Sequence, residues 1–228
     1  MIAVLIDPDK ANEGQIASLT SNPSFEEVDL VFVGGSLVTD GNMRTCLQHL
    51  KQRTKKPLII FPGSPNQIDN TADAIFLLSL ISGRNADLLI GRHVESSFKL
   101  KRSELEILST GYMLIDGGRP TTVSYMSNTS PIPAQKDDIA VCTAIAGEYL
   151  GLRQIFMDAG SGAHTPISTS MIEAVSGAID IPLIVGGGIR TPEKVRQNAE
   201  AGADLIVVGD AIEKNPEILT DMVAAIRS

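Results

Sequence analysis

The sequence predicts an α/β fold, a single closed (β/α)8 barrel of the TIM type. The chain has 228 residues, which is the usual size for one such barrel. Eight short apolar runs recur along it, several without polar alternation, as strands buried on both faces of a parallel sheet require. Polar, amphipathic stretches separate most of them, as crossover helices would. The predicted strands are Ile2–Ile6, Leu30–Val33, Leu58–Phe61, Ala74–Leu78, Tyr112–Ile115, Ile155–Met157, Leu183–Val185 and Leu205–Val208.

Start and stop signals predict several of the helices. Thr191 followed by Pro192 is typical of a helix N-cap with proline at the first helical position, and Gly202 ends that helix. Asn215 and Pro216 repeat the start signal for a C-terminal helix. A further helix is predicted over Lys136–Leu150.

Two segments interrupt this alternation. Residues 62–73 are too short and too rich in proline, glycine and asparagine for a regular helix, so the third helix is predicted to be missing or replaced by an extended segment. Gly117–Pro133 is a long Gly, Pro, Thr and Ser-rich stretch, predicted to be a lid-like loop. No linker composition occurs, and residues 1–228 are assigned to one domain.

Composition limits both the core and the partners. Hydrophobic residues make up 43% of the chain, aromatic residues only 4%, and tryptophan is absent, so the core is predicted to consist mainly of Ile, Leu, Val and Ala. A formal net charge of -8 argues against binding to nucleic acid, which requires clustered lysine and arginine, and against a basic membrane-binding patch. A small phosphorylated substrate remains compatible with this charge.

The chain is predicted to be cytoplasmic. Cys46 and Cys142 show no metal-ligand spacing and are expected to be reduced thiols. The N-terminus runs from a strand directly into Asp7 and Pro8, unlike a signal peptide. No apolar run approaches the roughly 20 residues that a membrane span needs.

Glycine-rich turns follow the last two predicted strands. These are Gly186–Gly188, leading into Ile189 and Arg190, and Gly209 with Asp210. Small residues let backbone N–H groups approach an anion, and phosphate sites after strands seven and eight recur in this fold. The alternative is that the glycines only permit tight turns. Two such turns at these strands favour phosphate binding.

Carboxylates follow strands one and six. Asp158 is predicted to point into the barrel mouth, where it could orient or deprotonate a substrate hydroxyl; the alternative is a turn-forming aspartate. Asp7 could hold Mg²⁺, which typically uses one or two carboxylates plus substrate phosphates and waters. The alternative there is an Asp-Pro turn with Asp9 and Lys10 solvated. Ser36, at the end of strand two, could add a neutral oxygen ligand.

Two other features are weaker indications of function. Arg84, in the Ser82–Asn85 segment after strand four, could meet a diphosphate, although a helix-capping loop accounts for the same segment. The three histidines form no metal-like pair, which argues against zinc.

The ordered set of motifs resembles a known family, the geranylgeranylglyceryl phosphate synthases and their bacterial heptaprenyl relatives. The resemblance runs from residue 2 to the last helix. The motifs that carry it are Asp7-Pro8-Asp9-Lys10, Gly34-Gly35-Ser36, Phe61-Pro62-Gly63, Ser82-Gly83-Arg84-Asn85, Asp158-Ala159-Gly160-Ser161-Gly162-Ala163, Val185-Gly186-Gly187-Gly188-Ile189 and Val208-Gly209-Asp210.

The resemblance implies a Mg²⁺-dependent prenyltransferase that joins the C3 hydroxyl of sn-glycerol 1-phosphate to geranylgeranyl diphosphate and releases diphosphate. It implies Asp7 and Ser36 as Mg²⁺ ligands and Asp158 as the catalytic residue. The resemblance also implies the residues that contact glycerol 1-phosphate, namely Tyr112, Phe156, Met157, Asp158, Ala159, Gly160, Ser161, Gly162, Gly187, Gly188, Gly209 and Asp210. A homo-oligomer and transient membrane contact for product release are expected, with Tyr112 and the segment after strand four beside the prenyl chain.

The chain departs from the family pattern at two places. The strand-six motif of the family commonly reads Tyr-Leu-Glu-Ala-Gly, whereas this chain has Phe156 and Asp158 at the tyrosine and glutamate positions. The phenol is therefore absent and the carboxylate is one methylene shorter. The heptaprenyl branch has a lysine two residues before the first aspartate, where this chain has Leu5, and this favours the geranylgeranyl type.

Three alternatives stay open. The first is the same reaction with a different prenyl chain length. The second is another phosphate-binding barrel enzyme, such as a sugar-phosphate isomerase or an aldolase; an aldolase requires a Schiff-base lysine at a strand end, and no predicted strand supplies one. The third is a non-catalytic phosphate-sensing barrel, which would not need Asp7, Asp9 and Asp158 beside the phosphate loops.

Overall fold

A computed structural model describes residues 1–39 and 42–227, and in it eight parallel strands close into a barrel. Each strand pairs with the next in sequence, and the last pairs with the first. The predicted barrel is confirmed. The strands are β1 (Ile2–Ile6), β2 (Leu30–Gly34), β3 (Leu58–Phe61), β4 (Ala74–Leu80), β5 (Glu106–Leu114), β6 (Gln154–Asp158), β7 (Leu183–Gly186) and β8 (Leu205–Val208).

The helices surround the barrel, and the helix Pro192–Glu200 begins at its predicted capping signal. Thr191 accepts a hydrogen bond from the Lys194 N–H, and Pro192 begins the helix, as predicted. No helix in residues 1–39 or 42–227 is long and apolar enough to cross a membrane. Among the described residues the α-helices are α1 (Glu13–Ser21), α2 (Met43–Arg53), α3 (Arg92–Lys101), α4 (Thr122–Ser127), α5 (Asp137–Tyr149), α6 (Thr169–Ser176), α7 (Pro192–Glu200), α8 (Asp210–Lys214) and α9 (Ile218–Arg227).

The fifth strand begins six residues earlier than predicted, at Glu106 instead of Tyr112. The first half of the strand was not predicted because it contains polar residues. Thr110 is fully buried there, and its hydroxyl donates to the Leu108 carbonyl while accepting from the Gln154 amide. A buried hydroxyl with both partners satisfied fits a strand interior, but its residue type does not predict one.

The third crossover contains no α-helix, as predicted. A single 3₁₀ turn, Pro65–Gln67, lies between β3 and β4, and the Gln67 side chain accepts a hydrogen bond from the Gly63 N–H. β3 pairs with β4 only at two positions, ending at Ile75, while β4 continues to Leu80 on the side of β5. The outer face of β4 is therefore left without the helix that would cover it in a regular barrel.

The core has two layers with different compositions. Between barrel and helices it consists mainly of Ile, Leu, Val, Ala and Met, in agreement with the composition. The barrel interior is also mostly aliphatic, but five of the nine aromatic side chains of the protein meet there as well. Their rings pack mostly edge to face, with centroid distances of 4.9 Å to 6.2 Å. The interior rings belong to Phe32, Phe61, Phe76, Tyr112 and Phe156.

We expect Phe32→Ala to lower the free energy of unfolding by about 3–5 kcal/mol, because it leaves a ring-sized cavity in this layer. The ring is fully buried and lies 4.9 Å from Phe76. Urea denaturation measures the change. Tyr125→Ala, at a side chain that is 84% exposed, is the control and is expected to change stability by less than about 0.5 kcal/mol. Equal losses in the two variants would contradict the interior packing.

Candidate active site

The carboxyl ends of the strands surround an open cavity of about 1040 Å³. The glycine turns after β7 and β8 form one wall of it. Gly187 and Gly188 adopt φ values of +82° and +70°, a backbone conformation that L side chains rarely adopt. A Cβ on Gly187 would lie 2.5 Å from Asp158 Oδ1 and 2.6 Å from the Ala159 nitrogen. Glycine is therefore required there both by the backbone and by the close approach of β6.

The strand alternation of β6 divides its predicted site residues between two sides. Phe156 and Asp158 point into the barrel and line the cavity, together with Ser161 and Gly162 of the following loop. The side chains of Met157 and Ala159 point outward and are buried in the core under the helices. Met157 and Ala159 were predicted to contact substrate, and the structure directs their side chains away from the cavity.

Asp158 is the centre of the hydrogen bonding in the mouth. Its Oδ2 accepts a hydrogen bond of 2.6 Å from the Tyr112 hydroxyl, and its Oδ1 accepts one of 2.7 Å from the Gly160 N–H. Tyr112 lies directly opposite Phe156 in the pairing of β5 with β6. A phenol thus reaches Asp158 from the neighbouring strand.

Burial shifts the pKa of both members of this pair. It raises the pKa of the Asp158 carboxyl, and the hydrogen bonds from Tyr112 and Gly160 oppose that rise. Burial, and then the charge of Asp158, raise the pKa of the Tyr112 hydroxyl well above its ordinary range. A carboxylate with a raised pKa accepts a proton more readily than an exposed one, as a general base requires.

The two predicted metal ligands, Asp7 and Ser36, line the same cavity. Asp7 Oδ1 accepts a hydrogen bond of 3.1 Å from the Asp9 N–H, and Asp7 Oδ2 lies 3.2 Å from the Lys10 ammonium. The Asp7 carboxylate and the Ser36 hydroxyl are both hard oxygen donors of the kind that Mg²⁺ prefers. Within residues 1–39 and 42–227 no cluster of three or more His, Cys, Asp or Glu could hold a metal. The donor set fits a metal that completes its coordination with substrate phosphates and waters.

Asp9 and Lys10 are partly solvated, as the Asp-Pro turn alternative states, but both also form specific contacts. Asp9 accepts hydrogen bonds from the backbone and hydroxyl of Thr39, which join the loops after β1 and β2. Lys10 bridges Asp7 and Glu213 of α8. Burial would lower the pKa of Lys10, but its bonds to Glu213 and Asp7 outweigh burial and raise it.

Arg84 does not reach the cavity. It lines a groove between the segment after β4 and α5, and its guanidinium bonds the Gly83 carbonyl. Asn85 accepts from the Asp87 N–H and donates to the Ser127 carbonyl. The structure therefore supports the helix-capping alternative for Ser82–Asn85.

Several cavity residues were missed from the sequence. Glu213 and Arg190 follow the glycine turns closely, a position that is itself a signal. Thr122 carries no such signal. It begins α4, a short helix inside the segment predicted to be a loop, and the neighbouring Thr121 packs against Gly160, where a Cβ would lie 2.8 Å from the threonine hydroxyl.

An apolar groove of about 910 Å³ opens beside the cavity, where the third helix is absent. It follows β4 between the Pro65–Gln67 turn and α3, and α4 lies along it. Ser36 and Phe61 line both the groove and the cavity, so the two are joined. The groove is lined mostly by apolar side chains, namely Phe61, Ile68, Ile75, Phe76, Leu77, Leu78, Leu80, Leu88, Leu100, Tyr112, Val123 and Met126.

Glycine turns after the last two strands are typical of phosphate-binding (β/α)8-barrel enzymes; here a carboxylate at the end of β6 lies beside them, and the groove adds room for an apolar ligand part. Within that class the chain belongs to one particular family, the PcrB family, whose model matches residues 2–227.

Named relatives agree with this assignment. A geranylgeranylglyceryl phosphate synthase of Chitinophaga pinensis is 55% identical over 226 residues, 99% of this chain and 90% of that protein. One from Spirosoma linguale is 50% identical over 225 residues, with the same coverage of both chains. The crystal structure of (S)-3-O-geranylgeranylglyceryl phosphate synthase from Thermoplasma acidophilum in complex with sn-glycerol-1-phosphate has a TM-score of 0.93 at 33% identity, covering 99% of this chain and 92% of that chain.

We expect the stability of the protein to depend on pH through Asp158. Because its pKa is raised in the folded state, its contribution is fully present below the ordinary carboxyl range and is lost as pH rises through the raised value. The free energy of unfolding of the wild type, relative to that of Asp158→Asn, should therefore fall from acid toward neutral pH. Urea denaturation at several pH values measures this difference. A difference that does not change with pH would contradict the burial of the charge.

Proposed function

We propose that this protein is a Mg²⁺-dependent prenyltransferase that forms an ether bond between the C3 hydroxyl of sn-glycerol 1-phosphate and geranylgeranyl diphosphate. The observation that carries the proposal is the junction of a polar cavity and an apolar groove at Ser36 and Phe61, with Asp158 and Tyr112 beside it. One compartment suits a phosphate, the other suits a long hydrocarbon chain, and a proton acceptor lies between them. The names of the relatives agree with this reaction.

Glycerol 1-phosphate is proposed to lie in the polar cavity. Its phosphate would approach the backbone at Gly187, Gly188 and Gly209, with Ser161 as a further donor. Because the phosphate position fixes the rest of so small a molecule, the cavity determines which hydroxyl faces the groove. This is a positioning contribution to the rate.

Asp158 is proposed to take the proton of the attacking hydroxyl. The hydroxyl oxygen forms a bond to C1 of the prenyl chain while the bond from C1 to the diphosphate oxygen breaks. The diphosphate leaves with the electron pair, and the proton passes to Asp158. Tyr112 holds that carboxylate toward the junction through its hydrogen bond of 2.6 Å.

Mg²⁺ is proposed to be the cofactor, held by Asp7 and Ser36, and it would neutralise charge on the leaving diphosphate. The charges of the cavity support a cation. Four carboxylates line it against two cationic side chains, yet both proposed substrates are anions. The carboxylates belong to Asp7, Asp158, Asp210 and Glu213, and the cations to Lys10 and Arg190.

Incubation of the protein with sn-glycerol 1-phosphate and a panel of prenyl diphosphates, with the product identified by mass, tests this proposal. We expect geranylgeranylglyceryl phosphate as the main product and loss of turnover when Mg²⁺ is chelated. A longer preferred chain would change only the substrate length. Absence of any prenyl ether would overturn the proposal.

We expect Asp158→Asn to lower kcat by about 10²–10⁴-fold, because it removes a general base and keeps the size of the side chain. The KM for glycerol 1-phosphate should change little. Asp158→Glu retains the acid and should retain more activity than the asparagine variant. If Asp158 were only a capping residue, the ranking would reverse, since asparagine caps well and glutamate poorly. Rates and melting temperatures of both variants decide between these roles.

The partners are also proposals. Ile90, Val94 and Phe98 recur every four residues along one face and are exposed, which supports a homo-oligomer. Tyr125 and Met126 are exposed on α4, and Met126 also lines the groove, which supports transient contact with a membrane during product release. Both cysteines are unpaired, which supports a cytoplasmic location. Light scattering and flotation with lipid vesicles measure the first two.

A further inference from the structure

Lys10 takes no part in the reaction proposed above, yet its ammonium lies within the cavity wall between two carboxylates. It is 3.2 Å from Asp7 Oδ2 and 3.1 Å from Glu213 Oε2. Asp7 follows β1 and Glu213 lies on α8 after β8, so the lysine joins the two loops that meet at the closure of the barrel.

Both oxygens of Asp7 are already engaged. Oδ1 accepts the Asp9 N–H, and Oδ2 accepts the Lys10 ammonium. A divalent cation that binds Asp7 must therefore share the carboxylate with a positive charge 3.2 Å away or displace it. Repulsion between two cations that share one carboxylate favours displacement of the ammonium.

Glu213 determines where the displaced ammonium can go. Its hydrogen bond to Lys10 does not involve Asp7, and Glu213 and Lys10 both line the cavity with the Gly209 turn. An ammonium released by Asp7 thus stays in the mouth, where an incoming anion would meet it. A flexible four-carbon stem with three donors suits such a change of partner.

We propose that Lys10 is an exchangeable counter-ion of this site, which occupies Asp7 in the absence of metal and binds diphosphate oxygens once Mg²⁺ has taken its place. This rests on the proposed function only in taking Asp7 as a metal ligand and diphosphate as the leaving group. Lys10 is then a substrate-binding residue, because metal binding frees its ammonium from Asp7 to bind the diphosphate. The competing account is a clasp that only stabilises the closure between β1 and β8.

Lys10→Met tests the proposal without turnover, because it keeps the stem and removes the charge. Mn²⁺ binding to the substrate-free protein, followed by isothermal titration calorimetry, is expected to tighten by about two- to fivefold, since Asp7 loses a competing cation in a partly exposed pair. Binding of inorganic diphosphate in the presence of Mg²⁺ is expected to weaken by about tenfold or more, as a charged hydrogen bond is lost. The opposite signs are the signature of an exchanging residue.

Lys214→Met is the matched control. Lys214 also forms an ion pair, with Asp210 of the same short helix at 2.9 Å, but it does not line the cavity. Both affinities should stay at wild-type values in this variant. Lys10→Arg, which retains the charge, should keep diphosphate binding within a few-fold of the wild type. Melting temperatures confirm that each variant is folded.

Two outcomes overturn the proposal. If Lys10→Met weakens metal and diphosphate binding together, the lysine orients Asp7 and does not compete for it. If neither affinity changes, the bridge is a surface ion pair. Failure of the proposed function is distinguishable, because it shows in the wild type as absence of prenyl ether product, whatever the variants bind.

Discussion

The hydrogen-bonded carboxylate of Asp158 is the constraint on which the mouth of the barrel depends. It is held on one oxygen by Tyr112 of β5 and on the other by the backbone of Gly160, and Gly187, which follows β7, passes so close that a Cβ would meet it at 2.5 Å. A charged group so enclosed is tolerated only with its hydrogen bonds made. The burial that raises its pKa also suits it to accept a proton, so the cost in stability and the chemical use have the same physical origin.

The missing third helix gives the barrel its second compartment. A regular crossover would cover the outer face of β4, as the other helices cover their strands. Here the Pro65–Gln67 turn is too short to do so, and β4 runs beyond its pairing with β3. The strand becomes the floor of a groove. Loss of one structural element thus creates the space for an apolar chain without disturbing the hydrogen bonding of the closed barrel.

The charges of the cavity fit two anionic ligands only when a further cation is counted. Carboxylates outnumber the cationic side chains in the lining, and the single charge of Lys10 is shared by two of them. On the proposal above, the attraction of the cavity for anions therefore depends on the cation that displaces Lys10 from Asp7, as well as on the fixed charges of the side chains. The overall charge of -8 makes the same point for the whole chain, because net charge does not attract a phosphate here and local groups must do so.

The sequence by itself determined the barrel, the absent third helix and the positions of most cavity residues. Apolar runs and proline or glycine interruptions are local signals, and the ends of parallel strands must gather at one face. Only the tertiary structure decided which side chains of β6 face the cavity, that the Tyr112 hydroxyl bonds Asp158, and that Lys10 contacts both Asp7 and Glu213. These features depend on strand register and on contacts between residues far apart in the chain. The local sequence around either residue of a contact does not reveal its partner. The aromatic interior has the same explanation: nine aromatic residues are few for a chain of this size, but the closed barrel brings five of them together.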